Sequence, residues 1–219
     1  MAGTDEICLK RRTGRHFAQG RHMDSAFLNA LAQARPDPGG GAAAAHSAAL
    51  GLALLAKVVQ LEHRRQGPEN NPGFHWGDLL TQVRLVSATL LRLQAEDVQA
   101  YFKLSQARTS RDPRETAAAL EEAVACPLRI MQQAQEGLAL TALGGAGCAL
   151  HLLADLLVAC ELLGAAFRGA HHIARANLPL MPQDSRRAVW DEALSCTLEA
   201  IEAEWQLVRA ELIGRLTCP

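Results

Sequence analysis

The sequence predicts an all-helical protein, and three observations carry that prediction. Alanine and leucine dominate, while aromatic residues are only 4% of the chain and β-branched residues are few; such a composition suits helices better than pleated strands. Apolar residues recur at three- and four-residue spacing over long stretches, and no segment alternates in the manner of a strand. The breaks between those stretches are marked by proline and glycine. The expected architecture is a bundle of about six mostly long antiparallel helices.

Residues 1–22 stand apart. They are basic and polar, with Lys10, Arg11, Arg12, Arg15 and Arg21, and have neither a helical period nor an apolar stretch of signal-peptide type. They read as a disordered extension, or as upstream sequence from a wrongly chosen start codon. The helical domain is expected over residues 23–219.

Asp24 or Ser25 can cap a short first helix carrying Phe27, Leu28, Leu31 and Ala32, which stops before Pro36. The turn Pro36-Asp37-Pro38-Gly39-Gly40-Gly41 follows. A second helix, from about Gly41 to Arg65, is apolar on almost every face and is therefore expected at the centre of the bundle. Residues 66–75 are a loop by composition. The third helix, from about Gly77 to Gln106, carries Leu79, Val83, Val86, Leu90, Leu93, Ala100 and Leu104 on one stripe, and Asp97 falls on that stripe. Thr109 to Pro113 is a loop, with Pro113 suited to begin the fourth helix. That helix carries Ala119, Leu120, Ala123, Val124, Leu128, Met131, Ala134 and Leu138, and Pro127 within it predicts a kink. Gly144, Gly145 and Gly147 are expected to mark the turn into a fifth helix, from about Ala146 to Ala176. Pro179, Met181 and Pro182 make the next turn. The last helix, about Gln183 to Leu216, turns Trp190, Leu194, Leu198, Ile201, Trp205, Val208 and Leu212 inward.

Composition excludes several classes of function. A net charge of −1 gives no reason to expect a nucleic acid or an anionic membrane surface as partner. The fifth helix is long and apolar enough for a membrane span, but Asp155 near its middle and the flanking helices of soluble type argue against one. Cys8, Cys126, Cys148, Cys160, Cys196 and Cys218 form no CxxC pair, which fits a reducing cytoplasm. There is no HExxH or Cys/His set, no P-loop and no dinucleotide fingerprint after a strand, so no metal site and no bound prosthetic group are expected.

The residues that invite chemistry are few. Three consecutive glycines at Gly39, Gly40 and Gly41 let a ligand approach the start of the second helix, where unpaired backbone N–H groups and the helix dipole favour negative charge. The same turn also suits a helix that simply begins close to its neighbours. Asp97 and Asp155 are acids in apolar surroundings, and His151 lies one turn before Asp155 on the same face, within reach of it. Each acid serves equally well as a structural ion-pair member, with Arg129, Arg168 or Arg175 as partner. His171 and His172 sit near a helix end, where a cation is favoured.

Taken in order, these residues resemble a known family. Phe27-Leu28-Asn29-Ala30-Leu31-Ala32, the Pro36–Gly41 turn, and an alanine-rich helix with Ala49-Leu50-Gly51 look like the opening of the formiminotetrahydrofolate cyclodeaminase / methenyltetrahydrofolate cyclohydrolase family. Glu96-Asp97-Val98-Gln99-Ala100-Tyr101, then Glu121-Glu122-Ala123 through Pro127-Leu128-Arg129-Ile130, then Asp155, Arg168-Gly169-Ala170 and Arg175-Ala176-Asn177-Leu178 continue the likeness across about residues 23–216. The resemblance implies a cytoplasmic, all-helical homodimer acting on one-carbon derivatives of tetrahydrofolate. Such enzymes close the 5-formimino derivative to the 5,10-methenyl form, or open the methenyl form to 10-formyl-tetrahydrofolate. It further implies Asp97 and Asp155 as proton-transfer groups, with His151, where the family tends to have an asparagine, as a replacement polar group beside Asp155 and a further catalytic candidate. It also implies Pro38, Gly39, Gly40, Gly41, Arg168, Arg175 and Asn177 as substrate contacts, with one of the arginines meeting the folate glutamate. The chain departs from the family pattern at Ala95, where an aspartate is usual, at Gln60, where an asparagine is usual, and at Gly147-Cys148-Ala149-Leu150-His151, in place of a Gly-Asn-x-Asn turn. A catalytically degenerate helical dimer of the same fold is the alternative that those departures support.

Overall fold

The computed structural model describes residues 25–66, 75–110 and 112–217. The extension expected at residues 1–22 and most of the loop expected at 66–75 lie outside the described residues. Every regular element among the described residues is helical: α1 Ser25–Leu31, α2 Gly40–Gln66, α3 Trp76–Ser110, α4 Pro113–Gly147, α5 Leu153–Asn177 and α6 Ser185–Thr217, with single 3-10 turns at Leu150–Leu152 and Leu178–Leu180. Helix α1 belongs to a unit of its own, Met1–Gln33; the remaining helices form one compact unit, Ala34–Pro219.

Within that unit, α2 lies between α3 and α5, and α4 packs on α3, α5 and α6. Helices α2 and α5, and likewise α3 and α4, run antiparallel, as the paired residues show. On α2 and α5, Gly40 meets Ile173, Ala44 meets Gly169, Gly51 meets Ala159 and Lys57 meets Asp155, one number rising as the other falls. The same holds for α3 and α4, where the Cys126 thiol points at the Leu93 carbonyl and the Thr116 hydroxyl at that of Ala107.

The core follows the stripes in the sequence. All seven predicted residues of α3 are buried, as are Leu194, Ile201, Val208 and Leu212 of α6, with Trp190, Leu198 and Trp205 partly buried against them. Leu52, Leu55, Val58 and Val59 of α2 are fully enclosed, and burial of each such side chain contributes about 1.5–3 kcal/mol. Asp112 caps α4 by accepting the Arg114 amide at 2.8 Å, with Pro113 in the first turn.

Two boundaries differ from expectation. Helix α3 continues to Ser110, past the predicted stop near Gln106. Helix α4 contains Pro127, as expected. It also continues through Gly144 and Gly145 to Gly147, so the turn falls at Cys148-Ala149 and α5 starts at Leu153. The reason is packing. A methyl group at Gly144 would lie 2.9 Å from Leu55 Cδ1, and one at Gly145 2.6 Å from Leu212 Cδ2. These glycines let α2 and α6 approach α4; they do not bend the chain. By length and composition, α2 and the stretch Leu150–Leu180 could each cross a membrane, but half of each is buried inside the fold.

One buried acid went unnoticed in the sequence. Glu62 is fully enclosed near the end of α2. It accepts hydrogen bonds from Arg65 Nη2 at 2.6 Å, Gln66 Nε2 at 2.8 Å and the Ala149 amide at 3.0 Å. Burial by itself raises its pKa, but the bonds from Arg65, the Ala149 amide and Gln66, with the charge of Arg65, outweigh burial and lower it. Glu62 thereby ties α2 to the turn between α4 and α5. Glu62→Gln should reduce stability at pH 7 by about 1.5–3 kcal/mol, the worth of hydrogen bonds to a charged group. A lowered pKa gives stability that is present above the ordinary carboxylate value of ~4.3 and lost as the pH falls through the folded value. Urea unfolding of the two proteins at pH 7 and at about pH 3 should therefore show a gap that closes in acid.

Candidate functional site

The glycine turn and the third helix meet at one point, and the first turn of α2 explains how. The first intrahelical bond of α2 runs from the Ala43 amide to the Gly39 carbonyl at 3.0 Å. The amides of Gly40, Gly41 and Ala42 therefore precede the hydrogen-bonded ladder. Asp97 projects from α3 onto that end and accepts the Ala42 amide. The approach is so close that a methyl group at Gly41 would lie 2.1 Å from Asp97 Oδ1. Any side chain there would have to displace the carboxyl. Gly40 is held in the same way against Ile173 of α5, whose Cδ1 a methyl group would meet at 2.8 Å.

A cavity of about 160 Å³ opens beside this contact. Asp97, Gly39, Gly40, Gly41 and Asn177 supply its polar wall. Val98, Ala100, Leu104, Ala123 and Ile173 supply an apolar wall, and Pro36, Asp37 and Tyr101 complete the lining. Pro36 and Tyr101 are exposed. Asn177 Nδ2 donates to the Ala123 carbonyl at 2.9 Å, which fixes the amide where α5 ends against α4. The Asp97 carboxyl is half-buried. Burial raises its pKa above the ordinary carboxylate range, and the Ala42 amide only partly offsets this.

The predicted site residues divide. Asp97, Gly39, Gly40, Gly41 and Asn177 come together, with Pro38 in the same turn, preceded by a cis Asp37–Pro38 bond. Asp155 does not join them within the chain. It pairs with Lys57 at 2.7 Å, and Lys57 is sixteen residues beyond Gly41, about 24 Å along α2. His151 is exposed in the 3-10 turn before α5, at that same far end. The reason is the antiparallel run of α2 and α5, which puts the start of α5 against the end of α2. Arg168 is also engaged elsewhere: it donates twice to Glu202, at 2.6 and 2.9 Å, and its guanidinium lies 4.0 Å above the Trp205 ring, joining α5 to α6. Arg175 pairs with Asp191. Arg129 pairs with Glu122 at 2.6 Å and Glu96 at 3.2 Å, and not with Asp97.

Sequence reasoning passed over Tyr101 and Ile173 as lining residues. The signal for Tyr101 was its place one helical turn after Asp97; for Ile173 none existed short of the α2–α5 pairing. Cys126 lies behind Asp97, and burial, with the Asp97 charge, pushes its thiol up to about 12, so it stays an inert neutral group. A wider groove of about 560 Å³ between α3 and α4, lined by Lys103, Gln106, Glu115 and Glu122, contains none of the predicted residues. Among the described residues no group of three or more His, Cys, Asp or Glu side chains is placed to hold a metal ion.

Comparison with known proteins agrees with the all-helical fold. The formiminotetrahydrofolate cyclodeaminase of Thermotoga maritima, known from a crystal structure, has the same fold: the TM-score is 0.78 over 89% of this chain and 97% of that one, at 23% identity. The formimidoyltransferase-cyclodeaminase of Rattus norvegicus is 30% identical over 201 residues, a match that takes in 87% of this chain and 37% of the relative. The chain thus spans little more than a third of that relative's length. The family model for formiminotransferase-cyclodeaminase matches residues 24–194, from the start of α1 into α6 and through both walls of the cavity. On that match the chain belongs to the formiminotransferase-cyclodeaminase family.

Proposed function

We propose that this protein is an enzyme of tetrahydrofolate one-carbon chemistry, making or breaking a carbon–nitrogen bond at the carbon carried between N5 and N10. The observation that carries the proposal is the Asp97 carboxyl, held in a glycine-walled cavity with its proton affinity raised. Both candidate reactions turn on one proton carrier. In the cyclohydrolase direction, the carboxylate takes a proton from water as the oxygen adds to the methenyl carbon. It returns the proton to N5 as the N5–carbon bond breaks, and the remaining hydroxyl proton passes to water as the formyl carbonyl of 10-formyl-tetrahydrofolate forms. In the cyclodeaminase direction, N10 adds to the carbon of the protonated formimino group, and Asp97 moves the N10 proton to the amino group, which departs as ammonia and leaves the methenyl cation. A carboxyl whose proton affinity is raised by burial suits either step, because it takes up a proton more readily than an ordinary carboxylate and can still return it. The Gly40 and Gly41 amides stand beside it as donors for developing negative charge. The substrate is a tetrahydrofolate derivative, and the chemistry calls for neither a metal nor a prosthetic group.

The site assignment narrows with the proposal. Asp97 is its catalytic residue, and the Pro38–Gly41 turn and Asn177 are its substrate contacts. Asp155, His151, Arg168 and Arg175 would serve it only if a second subunit carried them towards a neighbour's cavity. A catalytically degenerate scaffold is the second reading. It is favoured by the ion pairs that occupy Asp155, Arg168 and Arg175, and by the single acid left in the cavity lining that is drawn from α3.

A homodimer in the cytoplasm belongs to the same proposal. The four described cysteines, Cys126, Cys148, Cys160 and Cys196, are free thiols. Helices α2 and α5 expose apolar residues on one side, Leu50, Ala53 and Leu61 on α2 and Ala154, Val158 and Ala165 on α5, with the charged Lys57 and Glu161 among them. A face of this kind is suited to packing on its own copy across a two-fold axis.

The deciding experiment follows loss of methenyl-tetrahydrofolate absorbance, and its appearance from 5-formimino-tetrahydrofolate, with purified protein. Turnover of neither would leave the scaffold reading. Where turnover is seen, Asp97→Asn should lower kcat by about 10²–10⁴, the usual contribution of a general acid–base group. Gly41→Ala should do comparable damage by displacing the carboxyl.

The same Asp97→Asn variant has a stability signature of opposite sign. The folded chain holds the Asp97 proton to higher pH than the unfolded chain does, so ionised Asp97 weakens the fold as the pH rises past ~4. Asp97→Asn should therefore melt higher than wild type at pH 7, with the gain fading in acid; an equal or lower Tm at pH 7 would mean that burial does not oppose the charge. Light scattering should show a dimer for wild type and a monomer for Val158→Glu.

A further inference from the structure

We infer that Tyr101 is the specificity-determining residue of this cavity, the platform on which the p-aminobenzoyl ring of a folate rests while the pteridine ring enters below it. The inference rests on the folate reading of the site. Its grounds are position, size and chemistry. Tyr101 is one helical turn after Asp97 on α3, so the two side chains leave the same face about 6 Å apart along the axis. Both line the cavity, but they stand at different depths: Asp97 is set against the start of α2, whereas Tyr101 is 41% exposed. The cavity measures about 160 Å³, room for one ring system and not for a pteridine, a p-aminobenzoyl group and a glutamate together. A substrate whose reacting carbon reaches Asp97 has a ring on each side of that carbon. One ring fills the cavity, and the other must leave past the rim.

The chemistry of the walls decides which ring goes in. The interior offers hydrogen-bonding groups at Asp97, Asn177 and the glycine amides, with apolar surface at Leu104 and Ile173. A pteridine, with N–H and C=O groups on its edge, uses both kinds of wall. A benzoyl ring uses only the apolar one and would leave the glycine amides of the first turn without partners. The rim offers a flat aromatic face, and Phe102 meets the Tyr101 ring edge-on, with centroids 6.0 Å apart and planes at 66°. A contact of this geometry with Phe102 covers at most one face of the Tyr101 ring and leaves the other for stacking.

The test compares two probes on three proteins: 5-formyl-tetrahydrofolate and 6-methyl-tetrahydropterin, which lacks the p-aminobenzoyl group, titrated calorimetrically into wild type, Tyr101→Phe and Tyr101→Leu. Tyr101→Phe keeps the ring and should bind the folate as wild type does. Tyr101→Leu should bind it about tenfold more weakly, the loss of one aromatic stack with its buried area. The pterin should bind all three proteins alike. Unchanged folate affinity in Tyr101→Leu would overturn the inference and leave the site reading intact, as would an equal loss of pterin and folate, which would place the pteridine itself on Tyr101. If wild type binds neither probe, the folate reading of the cavity falls and this inference falls with it. Circular dichroism melts of the two variants separate loss of stacking from loss of fold, and Tyr101, being half-exposed, should leave the melt unchanged.

Discussion

The structure depends on how closely α2 can be approached. Gly41 admits the Asp97 carboxyl, Gly51 brings the Ala159 carbonyl within 2.9 Å of where a side chain would begin, and Ala42, Ala45 and Ala48 are wholly enclosed between them. From the opposite side, Gly144 of α4 admits Leu55, and Gly137 admits Leu52 and Leu163. A central helix can touch three neighbours at once only if its own side chains are small where theirs are large, because a close-packed interior has no slack for both. Two inward-facing carboxyls are accommodated at the two ends of α2, and along its length the Ser47 hydroxyl donates to the Leu162 carbonyl at 3.0 Å. At one end Asp97 meets the free amides of the first turn; at the other Glu62 gathers Arg65, Gln66 and the Ala149 amide.

These two buried acids show how similar chemistry leads to different outcomes. Glu62 is surrounded by donors, so its charge is stabilised and its pKa falls. Asp97 has one backbone donor and no adjacent cation among the causes of its shift, so burial prevails and its pKa rises. A carboxylate saturated with partners is a structural tie. One with spare proton affinity facing a cavity is available for chemistry. The fold therefore places a group that opposes its own stability at the one point where an empty space adjoins it.

Asp155 and the two arginines show why local pattern misleads about a site. Asp155 lies in the most apolar run of the chain, yet it reaches the edge of α5 and pairs with Lys57, with its side chain 34% exposed. A half-exposed pair of this kind contributes only about 0–1 kcal/mol. Arg168 is committed to Glu202 and to the Trp205 ring, and this becomes visible only when α6 is laid on α5. Gly164 is the position that permits it, since a methyl group there would stand 2.6 Å from the indole nitrogen of Trp205.

The sequence by itself determined the class of fold, the stripes that form the core, and the pairing of a glycine turn with a helix start. Each of these rests on spacing within one segment, which backbone geometry converts directly into a face or a cap. It also carried the order of segments that marks the family. Only the tertiary structure decided which of the two acids faces a cavity, that Gly144 and Gly145 serve packing and not a turn, that Glu62 is enclosed and that Tyr101 lines the cavity. Those outcomes depend on the register between helices far apart in the chain, on Gly41 meeting Asp97 and Lys57 meeting Asp155. That register is set by how the side-chain volumes of several helices fit together, which no single segment records.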